Sequence, residues 1–271
     1  MPDLSRSVAL VTGGGRGVGR AAAIGLAREG ATVGVLARTS AQVEETVAAC
    51  GPRAVPLQAD VTDASAVRGA VETLQGAHGP IDLLVTAAGA ANAIGPLWEI
   101  EPERWWADVE VDLRGTAVAL HAVLPSMRVQ RRGRIVTVYG DLGASPGAVA
   151  TSAFATAKAG VLRLTEHVAA EVVDDGITVV ALHPGLVRTA MTIHFATDPA
   201  VRRWLPRFAE RPASDYDDGG RAAKAVVAIA RGAADGLHGL LLGAGDDLEA
   251  LAADAGGLRA REARRLGVRW T

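Results

Sequence analysis

The chain has 271 residues, 49% of them hydrophobic and 21% charged, with a formal net charge of -2. A chain of that length builds a core without disulfides or metal, and a charge so close to neutral gives no bulk attraction to nucleic acid or an anionic membrane. The lone cysteine, Cys50, excludes an intrachain disulfide framework and fits a reducing cytoplasm.

The N-terminus, Met1 to Val11, carries no long apolar run and no small-residue cleavage site, against a signal peptide. Ser7–Thr12 reads as a strand ending in glycines, and Arg20–Glu29 as a helix with apolar residues at helical spacing, stopped by Gly30. Thr32–Ala37 is a second strand, Gln42–Ala49 a helix and Ala54–Gln58 a third strand. Ala64–Gln75 is a helix capped by Asp63. Ile81–Ala87 is a nearly all-apolar strand, the mark of a parallel sheet covered on both faces. Glu103–Gln130 reads as one long helix, helix-compatible apart from Gly115 and Pro125. Arg134–Tyr139 follows as a strand, Ser152–Val173 as a helix, Ile177–His183 as a strand, Asp217–Arg231 as a helix and Leu237–Leu242 as a final strand. This alternation predicts right-handed βαβ units in one domain spanning residues 1–271. Residues 190–218 hold three prolines with Phe195 and Trp204, and read as an insertion covering a site. Residues 246–271 read as a helical tail whose arginines (Arg259, Arg261, Arg264, Arg265, Arg269) suit a helix C-terminus.

Thr12-Gly13-Gly14-Gly15-Arg16-Gly17-Val18-Gly19 lies between the first strand and the first helix. Glycines there let the backbone turn sharply and approach a pyrophosphate, while the helix N-terminus offers free N–H groups. Asp60-Val61 follows the third strand, Ala87-Ala88-Gly89 the fourth, and Pro184-Gly185-Leu186-Val187-Arg188-Thr189 the sixth. In this order and spacing the motifs resemble the short-chain dehydrogenase/reductase family, over about Val8 to Leu242.

The resemblance implies a Rossmann-type doubly wound α/β sheet of strand order 3-2-1-4-5-6-7 with helices on both faces. It implies a nicotinamide cofactor held by Thr12, Gly13, Gly15, Arg16, Gly17, Val18, Gly19, Arg38, Asp60, Val61, Ala88, Gly89, Lys158, Pro184, Gly185, Val187 and Thr189. An NAD site carries an acidic residue after the second strand; here Arg38-Thr39-Ser40 stands there, and with Arg16 it favours the 2′-phosphate of NADP(H).

Family members place Asn, Ser, Tyr and Lys around the nicotinamide, the Tyr exchanging a proton with substrate. Phe154-Ala155-Thr156-Ala157-Lys158 keeps the Lys and replaces the Tyr with Phe154, which carries no titratable proton. The serines are replaced by Tyr139 and Gly140, with Asp141 at the alternative spacing, and the Asn by Asp112. Candidate replacements for the acid/base are Tyr139, Asp141 and His183 beside Lys158. The expected substrate pocket is Tyr139, Asp141, Phe154, His183 and His194, under the 190–218 lid. Arg202, Arg203, Arg207 and Arg211 recur through that lid, most simply as a solvated face. His78, His121, His167, His194 and His238 show no metal-ligand spacing, so no metal is expected.

Three readings stand. One is an NADP(H)-dependent oxidoreductase acting on a small-molecule carbonyl or alcohol through an atypical site. The second is a non-redox lyase, isomerase or cyclase on the same fold, and the third a catalytically silent NADP(H)-binding protein. A homodimer or homotetramer is expected from the family resemblance, in the cytoplasm, with no nucleic-acid or membrane partner.

Overall fold

The structure, a computed structural model, describes residues 3–141 and 149–266. Arg269 therefore lies outside the described residues. Short runs of Val, Leu and Ala form the strands: β1 (Val8–Thr12), then α1 (Gly17–Arg28), β2 (Thr32–Ala37), α2 (Ser40–Cys50), β3 (Ala54–Gln58), α3 (Ala64–His78) and β4 (Leu83–Thr86). The second half runs α4 (Pro102–Val109), a π-helical turn (Glu110–Arg114), α5 (Gly115–Gln130), β5 (Gly133–Val138), α6 (Ser152–Glu171) and β6 (Ile177–His183). Short helices α7 (Ala190–Thr197), α8 (Pro199–Trp204) and α9 (Pro206–Ala209) precede α10 (Gly220–Ala230), β7 (Leu241–Gly243), α11 (Leu248–Ala253) and α12 (Ala255–Ala260).

The seven strands form one parallel sheet of order β3-β2-β1-β4-β5-β6-β7. All five residues of β1 are buried, and they alternate between two cores. Ala9 and Val11 pack with Ala22 and Leu26 of α1 and Val226 and Ile229 of α10. Val8 and Leu10 face Leu74 of α3, Leu120 and Met127 of α5, and Val168 of α6. Burial on both faces explains the missing polar alternation, and each fully buried leucine contributes about 1.5–3 kcal/mol.

The expected long helix is present as continuous helical backbone from Pro102 to Gln130, with a π turn at Glu110–Arg114 inside it. The π turn inserts extra backbone between α4 and α5, a local register change that hydrophobic spacing does not encode. The last strand is also shorter than expected: Asp235–Leu237 is a 3-10 turn, and Gly239 at φ 78° breaks the extended run before Leu241. The tail is two short helices rather than one, and its arginines tie it to the body. Arg259 donates to the Gly236 carbonyl and Arg264 to the Leu241 carbonyl, while Arg264 with Asp246 and Arg261 with Asp254 pair within the tail. The Leu266 N–H donates to Glu166 of α6 at 2.7 Å. Among the described residues no helix is long and apolar enough to cross a membrane.

Candidate active site

The C-terminal strand ends form the crevice where ligands of this architecture bind. The glycine loop closes one wall by backbone contact. A Cβ on Gly13, which sits at φ +66°, would lie 2.5 Å from the Ala88 nitrogen, so loop and β4 segment approach as only glycine allows. A Cβ on Gly19 would strike the Gly13 carbonyl, which locks the first turn of α1 against the loop. Gly17 lies against Thr189, where a Cβ would be 3.0 Å from the Thr189 Cγ2. Thr189 caps α7 through a reciprocal pair with Thr192, so the loop touches the start of α7. Val187 is buried and bridges to Asp217, which fixes the turn through Pro184 and Gly185.

Arg16 is the residue before α1 and is exposed; Arg38 follows β2 and is 77% exposed. Arg38 approaches Asp60 at 3.5 Å, while Asp60 accepts the Thr62 N–H at 2.9 Å and its hydroxyl at 2.8 Å. The Thr62 amide, with Arg38 adding, holds the Asp60 carboxyl below the usual carboxylate range. Val61 is buried against Gly115, where a Cβ would overlap its side chain.

At the other end Lys158 and Phe154 stand one turn apart on α6, with Lys158 Nζ 5.6 Å from the Phe154 ring centre. Lys158 donates to the Val138 carbonyl at 3.4 Å and pairs with Asp112 Oδ1 at 3.3 Å. Asp112 is wholly buried in the π turn, and its Oδ1 also accepts the Ala90 N–H at 3.0 Å. Burial pushes its carboxyl up to about 6, against the pull of Lys158. Its neighbour Asp108 accepts from Asn92 and Ala93, ordering the segment after β4. Asp108 was not among the expected site residues; no local signal in the sequence points to it.

Phe154 fills the space a serine would need. A Cβ on Gly140 would meet the Phe154 ring at 2.9 Å. Phe154 also packs against Ala91, Ile94, Phe195 and Val201, with Met191 and Phe208 alongside, so residues 190–209 cover it with an apolar layer.

His183 and Asp141 are brought together, His183 Nε2 lying 3.0 Å from Asp141 Oδ1. The Gly185 N–H donates to His183 Nδ1 at 3.3 Å, which leaves the proton of a neutral ring on Nε2, facing the carboxylate. The β5–β6 register ends at Val138↔Leu182, so His183 follows one residue before the level of Gly140. Tyr139 is buried among Leu162, Ala181 and Leu241, its ring 5.6 Å from that of His183. Burial, with the Asp141 charge adding, pushes its hydroxyl above the usual phenol range. His194 stands apart from these groups, half exposed and 3.1 Å from Asp198 on the lid. Among the described residues no cluster of three or more His, Cys, Asp or Glu side chains could hold a metal ion.

A family model described as short chain dehydrogenase matches residues 7–200. The chain is 35% identical over 195 residues to a short chain dehydrogenase of Pseudocercospora fijiensis, a stretch covering 70% of this chain and 62% of that protein. It spans less than two thirds of that relative's length. It is 33% identical over 237 residues to the cis-4-hydroxycyclohexanecarboxylate dehydrogenase of Sinomonas cyclohexanicum, covering 87% of this chain and 93% of the relative. The crystal structure of a single-residue variant of actinorhodin polyketide ketoreductase with NADPH superposes with a TM-score of 0.79 at 27% identity, over 90% of this chain and 97% of the other. Sheet order, motif order and these matches agree: the chain belongs to the short chain dehydrogenase family of nicotinamide-dependent oxidoreductases.

Proposed function

We propose that the chain is an NADP(H)-dependent oxidoreductase acting on a small-molecule carbonyl or alcohol, with its transferable proton held outside the family's tyrosine position. The observation that carries this reading is the glycine cradle, where a Cβ at Gly13 would fill space needed for loop and β4 segment to meet. Such a cradle fits a dinucleotide's pyrophosphate at the N-terminus of α1. Arg16 and Arg38 are the exposed cations at its edge, and no carboxylate ends β2. The Arg38–Asp60 contact is long and solvated, so the guanidinium is free to turn to a 2′-phosphate. The NADPH in the ketoreductase neighbour supports the same choice.

When bound, a nicotinamide would supply the hydride chemistry. Lys158, steadied by Val138 and Asp112, holds the cofactor end of the site. Phe154 and the lid residues Met191, Phe195 and Phe208 exclude water and favour a substrate with an apolar body. Doubly protonated, with a proton on Nδ1 in place of the Gly185 contact, the His183 ring beside Asp141 would pass its Nε2 proton to a substrate oxygen that displaces the carboxylate and return to neutral imidazole. Tyr139, packed and with its hydroxyl pushed up, is the weaker candidate. A homodimer or homotetramer through α5 and α6 goes with this reading, and light scattering checks it.

The test is fluorescence titration of the protein with NADPH and NADH. NADPH is expected to bind about tenfold or more tighter, and Arg38→Asp to reverse the preference. Equal affinity for the two, unchanged in the variant, overturns the NADP(H) assignment.

A further inference from the structure

The floor of the crevice holds an ion pair that the proton transfer just described leaves unused. Asp112 is 0% and Lys158 7% exposed in their side chains, with Oδ1 and Nζ 3.3 Å apart. Both lie against Gly89, where a Cβ would be 2.8 Å from Asp112 Oδ1 and 3.4 Å from Lys158 Nζ. The Asp112 Oδ2 is shut off from solvent and has no hydrogen-bond partner among the described residues. The charged groups acting on Asp112 are Lys158 from α6 and Asp108 from α4, and the Ala90 amide donates to it from the segment after β4. Asp108 is itself held by two amide N–H groups and the Asn92 side chain.

We propose that Asp112 cancels the Lys158 charge at the nicotinamide end and thereby sets which redox form of the cofactor the protein holds more tightly. This rests on the nicotinamide reading above. The oxidised ring carries a positive charge and the reduced ring none, while the rest of the two molecules is identical. A local protein charge therefore acts on the ratio of the two affinities and cancels elsewhere. An asparagine at 112, the residue the family resemblance puts there, would leave Lys158 as an uncompensated cation that repels the oxidised ring. The carboxylate makes the pair neutral and removes that repulsion. Because burial holds the Asp112 carboxyl up to about 6, the neutral pair exists above that pH and gives way to a lone Lys158 cation below it.

The experiment is calorimetric titration of the full chain with NADP+ and with NADPH, at about pH 8 and about pH 5.5, either side of the Asp112 titration. The 2′-phosphate titrates alike in both cofactors and drops out of the ratio. Asp112→Asn at the higher pH is expected to raise Kd(NADP+)/Kd(NADPH) by about tenfold, a unit charge acting through a partly screened site. Wild-type protein is expected to move in the same direction on acidification, and Asp112→Asn not to move. Asp112→Asn combined with Lys158→Met, which is neutral again, is expected to return to within about threefold of wild type. An unchanged ratio in Asp112→Asn, or one still raised in the double variant, overturns the inference while the nicotinamide reading stands. Failure of both cofactors to bind overturns that reading, and the inference with it. Should the variants not fold, a wild-type ratio that stays flat between the two pH values is decisive against it.

Discussion

The two ends of the crevice differ in what they require of the chain. At the phosphate end the demand is on backbone. Gly13 must let Ala88 approach, and Gly19 must admit the Gly13 carbonyl. At the other end the demand is on side-chain chemistry. There Lys158 keeps its place, while by the family resemblance Phe154 and Asp112 stand at the tyrosine and asparagine positions and Tyr139, Gly140 or Asp141 at the serine's. A binding cradle tolerates few residues, because any Cβ collides. A proton donor can be moved to a neighbouring strand end, because several side chains carry a proton.

The hardest way to break that contrast is Gly13→Val. The side chain would overlap backbone at a positive φ, and a loss on the order of 3 kcal/mol in stability is expected together with loss of NADPH binding. Chemical denaturation and fluorescence titration measure the two. A stable variant with intact affinity would remove the claim that this end is the stricter one.

The next test addresses the rewritten end. His183→Gln and Asp141→Asn should each lower turnover on the order of 100-fold while NADPH affinity stays within about threefold. Steady-state kinetics on an apolar ketone series with parallel titrations gives both values. Turnover kept within about threefold in both variants would exclude the pair as the proton source.

A smaller effect lies in pH and stability. Asp112 titrates in the folded protein at about 6, above its ordinary value of 3.8. A raised carboxylate favours folding fully below its unfolded value, and that contribution is lost as pH rises through the folded one. Stability should thus fall by an amount on the order of 2 kcal/mol between about pH 4 and 6.5, and Asp112→Asn should flatten the slope. Thermal denaturation across that window checks the sign; a slope in wild type equal to that in the variant would assign it to other groups.

The smallest effect concerns Gly140. Gly140→Ala brings a Cβ within 2.9 Å of the Phe154 ring, a flexible neighbour that can give way. The expected cost is about 1 kcal/mol, and it should vanish in a Phe154→Ala background. A double-mutant cycle showing no coupling would mean that the two positions do not share the space.

Most strands are legible in the sequence because buried parallel strands are continuous apolar runs, whereas the sheet order comes from the family resemblance. Ile177–His183 is read with its observed limits. The first helix begins at Gly17 rather than Arg20, since glycines read as loop while their free N–H groups form its first turn. The π turn under Asp112 has no compositional signature, and so neither its burial nor its pairing with Lys158 can be read from spacing. The meeting of His183 with Asp141 depends on the register of β5 with β6, a relation between distant stretches of chain that sequence periodicity does not contain. The packing of Tyr139 against Leu162 and Leu241 is hidden in the same way.

The interlock of Phe154 with Gly140 bears on which residues the two positions admit together. A serine at 140 would push against the ring of Phe154, and Phe154→Tyr would keep a ring of the same outline there. A tyrosine at 154 therefore does not by itself make room for a serine at 140, because its ring occupies the phenylalanine's space. The steric fit of one aromatic ring against one bare backbone position ties the two residues together, so that a larger residue at 140 needs a different placement of the ring at 154.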